Sequence, residues 1–405
     1  MAALRPSALI ALDASASADL AAPVTRAVDA SLRRAVAARA SDLHVEPAGD
    51  GAGRTRLRVD GVMRAGEPIA RDLYAPFVSR IKLLAGLDIA NRRLPQDGRY
   101  SVVVEGRSID ARVSSIPTID GEKLVIRFLD HHVALPRLDD LGMSPPALAS
   151  YRRTAHAPWG FVVVSGPTGS GKTTTLYASI AELDRGLRNV CTVEDPIEAR
   201  LTQTAQVQVN VRAGLTFPAA LRAFVRQDPD VIMIGEMRDD ETAAVGVSAA
   251  LAGQTVFATV HSNDAARTIN RLVELGVARH SLAAALTAVV AQRLVRKLCS
   301  FCRQPADVPM HVRAMLPDNA PLWYVPAGCA ACDETGYSGR TGIFEVLEAD
   351  DSIREAIASG ASSATLAHIA AERGHRSLYH DAAEKLVAGT TSFEEVERVV
   401  GWWVR

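Results

Sequence analysis

Residues 161–184 read Phe161-Val-Val-Val-Ser-Gly166-Pro167-Thr168-Gly169-Ser170-Gly171-Lys172-Thr173-Thr174-Thr-Leu-Tyr-Ala-Ser-Ile-Ala-Glu-Leu-Asp184, and they decide the fold. An apolar run enters a complete G-x-x-x-x-G-K-[ST] loop, and a helix-compatible segment leaves it, which is the strand-loop-helix setting a phosphate loop requires. The glycines let consecutive N–H groups curl round a phosphate, and the helix aims its positive N-terminal end at the same anion. Gly166 to Thr174 is therefore the expected nucleotide-binding segment. Lys172 would reach the β- and γ-phosphates, and the Thr173 hydroxyl would hold Mg²⁺.

Outward from that loop, strands alternate with helices: FVVVS, NVCTVED, DVIMIGE and TVFATVHS. This predicts a mostly parallel α/β sheet with ligands beyond the carboxyl ends of its strands. Each of these strands ends on chemistry: the phosphate loop, Glu194 with Asp195, Glu236, and His261. Hydrolysis of ATP needs a carboxylate near the attacking water and groups that stabilise charge on the γ-phosphoryl oxygens. Glu236, after VIMIG, is the first choice for orienting that water or hydrated Mg²⁺. Glu194 and Asp195 compete for the same task, and one of them could simply cap a helix. His261 could sense the γ-phosphate through its imidazole.

Residues 23–135 carry a different pattern. A helical periodicity over 23–40 precedes SDLHVEP and GRTRLRVDGVMR as strands, then a helix at about 73–87, and two alternating segments, YSVVVEGRSIDARVSS and GEKLVIRFLD. This is an α+β domain. Between 54 and 99 it holds ten Lys/Arg against five acidic residues, usually the mark of a solvated face, but also a potential source of arginine fingers. Residues 136–158, with four prolines, read as a linker with a short helix, the motor domain as 159–298, and 346–405 as C-terminal helices with Ser392 as an N-cap.

Four of five cysteines form two C-x-x-C pairs, Cys299/Cys302 and Cys329/Cys332, separated by 26 residues. Two tight turns each offering two thiolates match a closed tetrahedral Zn²⁺ site, so 299–345 reads as a structural zinc segment. The redox alternative would need a thioredoxin-like unit, which is absent. Cys191 lies in an apolar strand and reads as core.

Bulk properties constrain partners. With 45 Lys+Arg against 46 Asp+Glu, nothing global favours nucleic acid. No apolar stretch reaches the roughly 20 residues that span a bilayer. The Ala/Ser-rich residues 1–22 are expected to be a flexible tail rather than a signal peptide, because Asp13 interrupts the apolar core after about five residues.

The chain resembles the secretion ATPases that drive type II secretion and type IV pilus assembly. ASDLHVEP, RLRVDGVMR, KLLAGLDIANRRLPQDGR, GPTGSGKTTTLY, TVEDPIE, LRAFVRQDPDVIMIGEMRDDETA, TVHSNDA, VVAQRLVRKLC and GYSGRTGIFEV are similar to that family's blocks, in its order. The resemblance implies a PAS-like first domain, a RecA-like motor domain and a ring of six subunits with nucleotide held between them. It implies Glu194 as the catalytic glutamate of the aspartate box, Glu236 as the end of an atypical Walker B in which Gly235 replaces the usual Asp, and His261 in the histidine box. Arg80, Arg93 and Arg99 fall where the family's first domain approaches the γ-phosphate.

The tetracysteine segment is similar to the zinc insertion of the assembly ATPases, which the retraction branch lacks. The histidine box is preceded by AGQTVFAT instead of TGHLVLST. The family's additional N-terminal docking domain is expected to be missing before Pro23. The resemblance thus implies a cytoplasmic ATPase, peripheral at the inner membrane, that uses ATP, Mg²⁺ and Zn²⁺. It would act on an inner-membrane platform protein, with a membrane recruitment protein as a further partner and no nucleic acid. Type II protein secretion is the machine expected, with a type IV pilus assembly or DNA-uptake motor as the alternative; a scaffold that binds ATP without hydrolysing it, and a nucleic-acid translocase, are the rival classes.

Overall fold

The computed structural model describes residues 9–12 (backbone only), 23–104, 106–129, 135–307 and 323–401. The chain divides into two compact units, Met1–Ala134 and Leu135–Arg405.

In the first unit, strand β1 (Leu9–Leu12) is followed by helix α1 (Pro23–Ala37), β2 (Asp42–Pro47), β3 (Gly53–Val59), β4 (Val62–Ile69), α2 (Arg71–Leu84), β5 (Gln96–Val104), β6 (Arg107–Thr118) and β7 (Gly121–Leu129). The sheet order is β1-β5-β6-β7-β2-β3-β4, antiparallel except for β1 on β5. Part of the stretch expected as a tail thus forms an edge strand; residues 1–8 and 13–22 lie outside the described residues. Strand periodicity decides the faces: Leu57 and Val59 join Val28 and Leu32 of α1 and Phe77 and Ile81 of α2 in one core, while Arg54, Arg56 and Arg58 alternate onto the other face.

Register aligns Arg99, Arg112, Arg127, Asp42 and Arg58 in one row across that outer face. Asp42 accepts from Arg127 Nε at 3.0 Å. Lys82 is wholly buried. It is tolerated there because its ammonium meets Glu122 at 2.6 Å and the Asn91 carbonyl at 2.7 Å, which pins the loop after α2.

The second unit runs through α3 (Pro145–Ala155), β8 (Gly160–Ser165), α4 (Lys172–Glu182), β9 (Val190–Glu194), β10 (Ala205–Gln208), α5 (Phe217–Phe224), β11 (Val231–Ile234), α6 (Asp240–Leu251), β12 (Thr255–Val260), α7 (Ala265–Glu274), α8 (Arg279–Ala285) and β13 (Leu286–Leu298). It continues with β14 (Gln304–Ala306), β15 (Trp323–Val325), β16 (Tyr337–Glu348), α9 (Asp351–Ser359), α10 (Ser363–Glu372), α11 (Leu378–Val387) and α12 (Phe393–Val400). The main sheet has the order β10-β9-β11-β12-β8-β13-β16, parallel up to β13 and closed by antiparallel β16.

The central strands β8, β9, β11 and β12 are buried at every position because both faces of the sheet are covered. Phe161 and Val163 of β8 enter one core with α5 to α8, while Val162 and Val164 enter the other with α3 and α4. Residues 136–158 hold the expected short helix as α3, and it packs in this unit: Tyr151 Oη lies 2.6 Å from Ser179 Oγ, and Arg152 binds Glu182 at 2.6 Å, both on α4. Ser392 caps α12 by accepting from the Glu395 N–H. No described helix is long and apolar enough to cross a membrane.

Candidate active site and tetracysteine cluster

Parallel pairing brings the carboxyl ends of β8, β9, β11 and β12 together, with Ser165 beside Val260 and Ile234 beside both Val193 and Ala258. The phosphate loop leaves β8 and enters α4 through Gly171 at φ +88°, a left-handed conformation in which a Cβ-bearing residue would be strained. Lys172 Nζ donates to the Gly166 and Pro167 carbonyls, each at 2.9 Å. Burial lowers its pKa to about 8; Glu236 and Glu198 pull it up, and Arg293 pushes it down. An anion arriving here therefore meets a partly desolvated cation and a helix N-terminus together. Ser170 Oγ, inside the loop, is buried with no hydrogen-bond partner among the described residues.

Glu236, at the end of β11, is largely buried; Arg238 holds it, and His261 Nε2 is 3.7 Å from its Oε2. Lys172, Glu236 and His261 thus share one locality, as the order of strand ends suggests. Gly235 has a steric reason: a Cβ there would stand 3.2 Å from both Glu194 Cα and the Val193 carbonyl, because the Gly235 N–H bonds that carbonyl at 2.8 Å.

Glu194 is 2 % exposed and fully engaged. Its Oε2 accepts from the Tyr177 hydroxyl, and its Oε1 from Thr192 at 2.6 Å and Gln206 at 3.1 Å. Burial first, and then the Glu194 carboxylate, raise the Tyr177 pKa above its ordinary value. The Tyr177 oxygen also accepts from the Glu198 N–H at 3.1 Å. Glu198, four residues on, reaches Thr173: hydroxyl and carboxylate are 3.5 Å apart. It is a site residue that the sequence argument passed over, although its signal was present as the second glutamate of TVEDPIE. Thr173 with Glu198 is an oxygen set of the kind a hard divalent cation takes.

Gln292 was also passed over. Fully buried on β13, it accepts from Thr175 Oγ1 at 2.8 Å and donates to the Ser170 carbonyl at 2.6 Å, holding both arms of the loop. In the first unit, Arg80 is half-buried near Asp29 of α1, its Nε without a partner among the described residues, whereas Arg93 and Arg99 are exposed.

The four cysteine sulfurs lie within 4.8 Å of one another. Sulfur–sulfur separations are 3.9 Å for Cys299–Cys329, 3.8 Å for Cys302–Cys332 and 3.7 Å for Cys329–Cys332. An ion about 2.3 Å from each of four tetrahedral sulfurs would place them about 3.8 Å apart, so the donor set fits zinc. N–H groups of Cys329 and Gly336 donate to the Cys332 sulfur at 3.3 Å and 3.2 Å and, against the cost of desolvation, lower its pKa, whereas desolvation raises Cys302 and Cys329.

A family model described as type II/IV secretion system protein matches residues 17–398. The chain is 47 % identical over 378 residues to a Pseudomonas aeruginosa protein named type II secretion system protein HxcR, covering 93 % of this chain and 77 % of that one. It is 43 % identical over 383 residues to the Myxococcus xanthus type IV pilus assembly ATPase PilB, covering 93 % and 67 %. The Legionella pneumophila ATPase DotB superposes with a TM-score of 0.68 at 20 % identity, covering 97 % of this chain and 98 % of that one, a likeness of fold.

Proposed function

Because this chain belongs to the type II/IV secretion system protein family, we propose that it is the ATPase that powers assembly of pilin-like subunits at an inner-membrane platform for type II protein secretion. The observation that carries this reading is the convergence of Lys172, Glu198, Glu236 and His261 at the carboxyl ends of one parallel sheet. In it the second unit is a RecA-like motor and the first a PAS-like domain, with the working assembly a ring of six subunits on the cytoplasmic side of the inner membrane.

Gly166 to Thr174 cradle the phosphates of ATP, Thr173 holds Mg²⁺ with Glu198 nearby, and Cys299, Cys302, Cys329 and Cys332 hold a structural Zn²⁺. Glu236 orients the attacking water; its contact with His261 lets the imidazole report on the γ-phosphate. Glu194, closed in by three donors, supports the site from behind. Arg80, Arg93 and Arg99 of the first unit are the candidates to supply charge to the γ-phosphate, and of these Arg93 and Arg99 are exposed while Arg80 is half-buried.

Type IV pilus assembly is the second reading, favoured by the 43 % identity to PilB. A host strain carrying Lys172→Ala, scored for exoprotein release and surface pili together, separates them. Loss of exoproteins with pili intact is the expected result. Loss of pili alone would transfer the chain to pilus assembly, and no change in either would overturn both.

A further inference from the structure

Two consecutive residues of β13 touch opposite sides of the candidate site. Ala291 pairs with Ser165, so Gln292 sits where β8 runs into the phosphate loop. The loop is moulded on it: a Cβ at Gly166 would fall 2.5 Å from the Gln292 carbonyl oxygen, and one at Gly171 would fall 3.0 Å from Gln292 Nε2.

Arg293, 8 % exposed, points the other way. Its Nη1 donates to the Gln292 carbonyl at 2.9 Å, and its Nη2 donates to the Asn263 carbonyl at 2.9 Å and Asn263 Oδ1 at 3.3 Å. Asn263 belongs to the His261-Ser-Asn263-Asp264 segment, whose Asp264 caps α7 through the Arg267 N–H at 2.7 Å. A continuous hydrogen-bonded chain thus runs from the Ser170 carbonyl and Thr175, through Gln292 and Arg293, to the loop that carries His261.

The cation in this chain is expensive. Among the described residues its hydrogen bonds go to amide oxygens; desolvation of the guanidinium lowers its pKa, and the Asp264 and Glu345 carboxylates offset that only in part. A neutral side chain would fill the same volume at less cost, but it would lack the planar fork that reaches two carbonyls at once. The same charge is felt by Lys172. A phosphate bound at the loop would relieve that repulsion and bear on both ends of the chain.

We propose that Gln292 and Arg293 are a positioning pair: Gln292 fixes the phosphate loop, and Arg293 ties it to the His261 loop, so that nucleotide binding orders His261. This rests on the phosphate loop binding nucleotide, as proposed above, but not on hydrolysis. The test is hydrogen exchange of peptides covering residues 259–268 in the full chain, with and without Mg²⁺ and a slowly hydrolysed ATP analogue, beside binding of a fluorescent ATP analogue and turnover. Wild type should gain protection there on binding nucleotide. Arg293→Gln should bind within about three-fold of wild type, lose that protection and turn over at least about ten-fold slower, while Arg293→Lys should recover part of both.

Gln292→Ala, which loosens the loop itself, should weaken binding as well. Protection in Arg293→Gln equal to wild type would overturn the pair. So would absence of nucleotide-dependent protection in a wild type that binds nucleotide, or a loss in Arg293→Gln that Arg293→Lys does not recover in part. Binding without turnover in wild type would defeat the ATPase reading alone, and the exchange data would still decide the pair. Wild type that binds no more nucleotide than Lys172→Ala would defeat both.

Discussion

Lys172 shows how much one position's environment adds to its motif. The motif identifies the lysine as a phosphate ligand; the fold sets when it is charged. With its pKa lowered to about 8, it is an ammonium below that pH and neutral above it, so ATP affinity should hold steady near neutrality and weaken as pH rises through about 8. Bound phosphate, by favouring the charged form, moves the midpoint upward. Fluorescent-nucleotide titrations from about pH 7 to about pH 9.5 would check this, and a flat profile would contradict it.

The sequence favours Glu236 for orienting water yet leaves the division of labour with Glu194 open, because both follow apolar runs, and tertiary contacts separate them. Glu194 meets Tyr177, Thr192 and Gln206, while Glu236 faces Arg238 and His261. Glu236→Gln should therefore cut turnover by about 10² or more with ATP still bound, as expected for loss of a group acting on the transition state. Glu194→Gln should lose less turnover and more thermal stability. Equal turnover losses without destabilisation of Glu194→Gln would refute the division.

At the scale of elements, legibility followed periodicity. The four strands that lead into the site were readable because unbroken apolar runs ended in turn or motif residues. β13 was not. Its sequence continues the Ala/Leu-rich segment of α8, and a strand covered on both faces shows no alternation, so neither propensity nor period separates the two. β16, which pairs along almost all of it, was hidden with it.

β13 matters beyond the sheet, since it ends at Leu298, next to Cys299. Just before that, Arg296 binds Glu395 of α12 at 2.8 Å and lies over the Tyr337 ring at 3.9 Å. Although burial opposes its charge, Glu395 accepts from Arg398 and Arg296 and titrates at about 2, so the contact persists in mild acid. The cysteine cluster is thus seated on the C-terminal helices through β13. Cys329→Ser should reduce bound zinc and loosen that seat, while nucleotide affinity stays within about three-fold. Unchanged zinc by metal analysis would refute the four-ligand site.

For the whole molecule, candidate residues fall in both units: the proposed phosphate-binding and hydrolytic groups lie in Leu135–Arg405, and the arginine row lies in Met1–Ala134. Which arginines share a row could not be read from charge counting, because Arg99, Arg112 and Arg127 are distant in sequence and meet only through strand register. If subunits of a ring complete one another's sites, activity must depend on assembly, since arginine charge at a transferring phosphoryl group is worth about 10³-fold or more where it has been measured in related chemistry. The measurement that bears on this most directly is ATP turnover per subunit against protein concentration, with the oligomeric state followed by sedimentation in the same buffer. Turnover per subunit rising in step with the hexamer fraction is the predicted result, and a monomer with full activity would contradict the account.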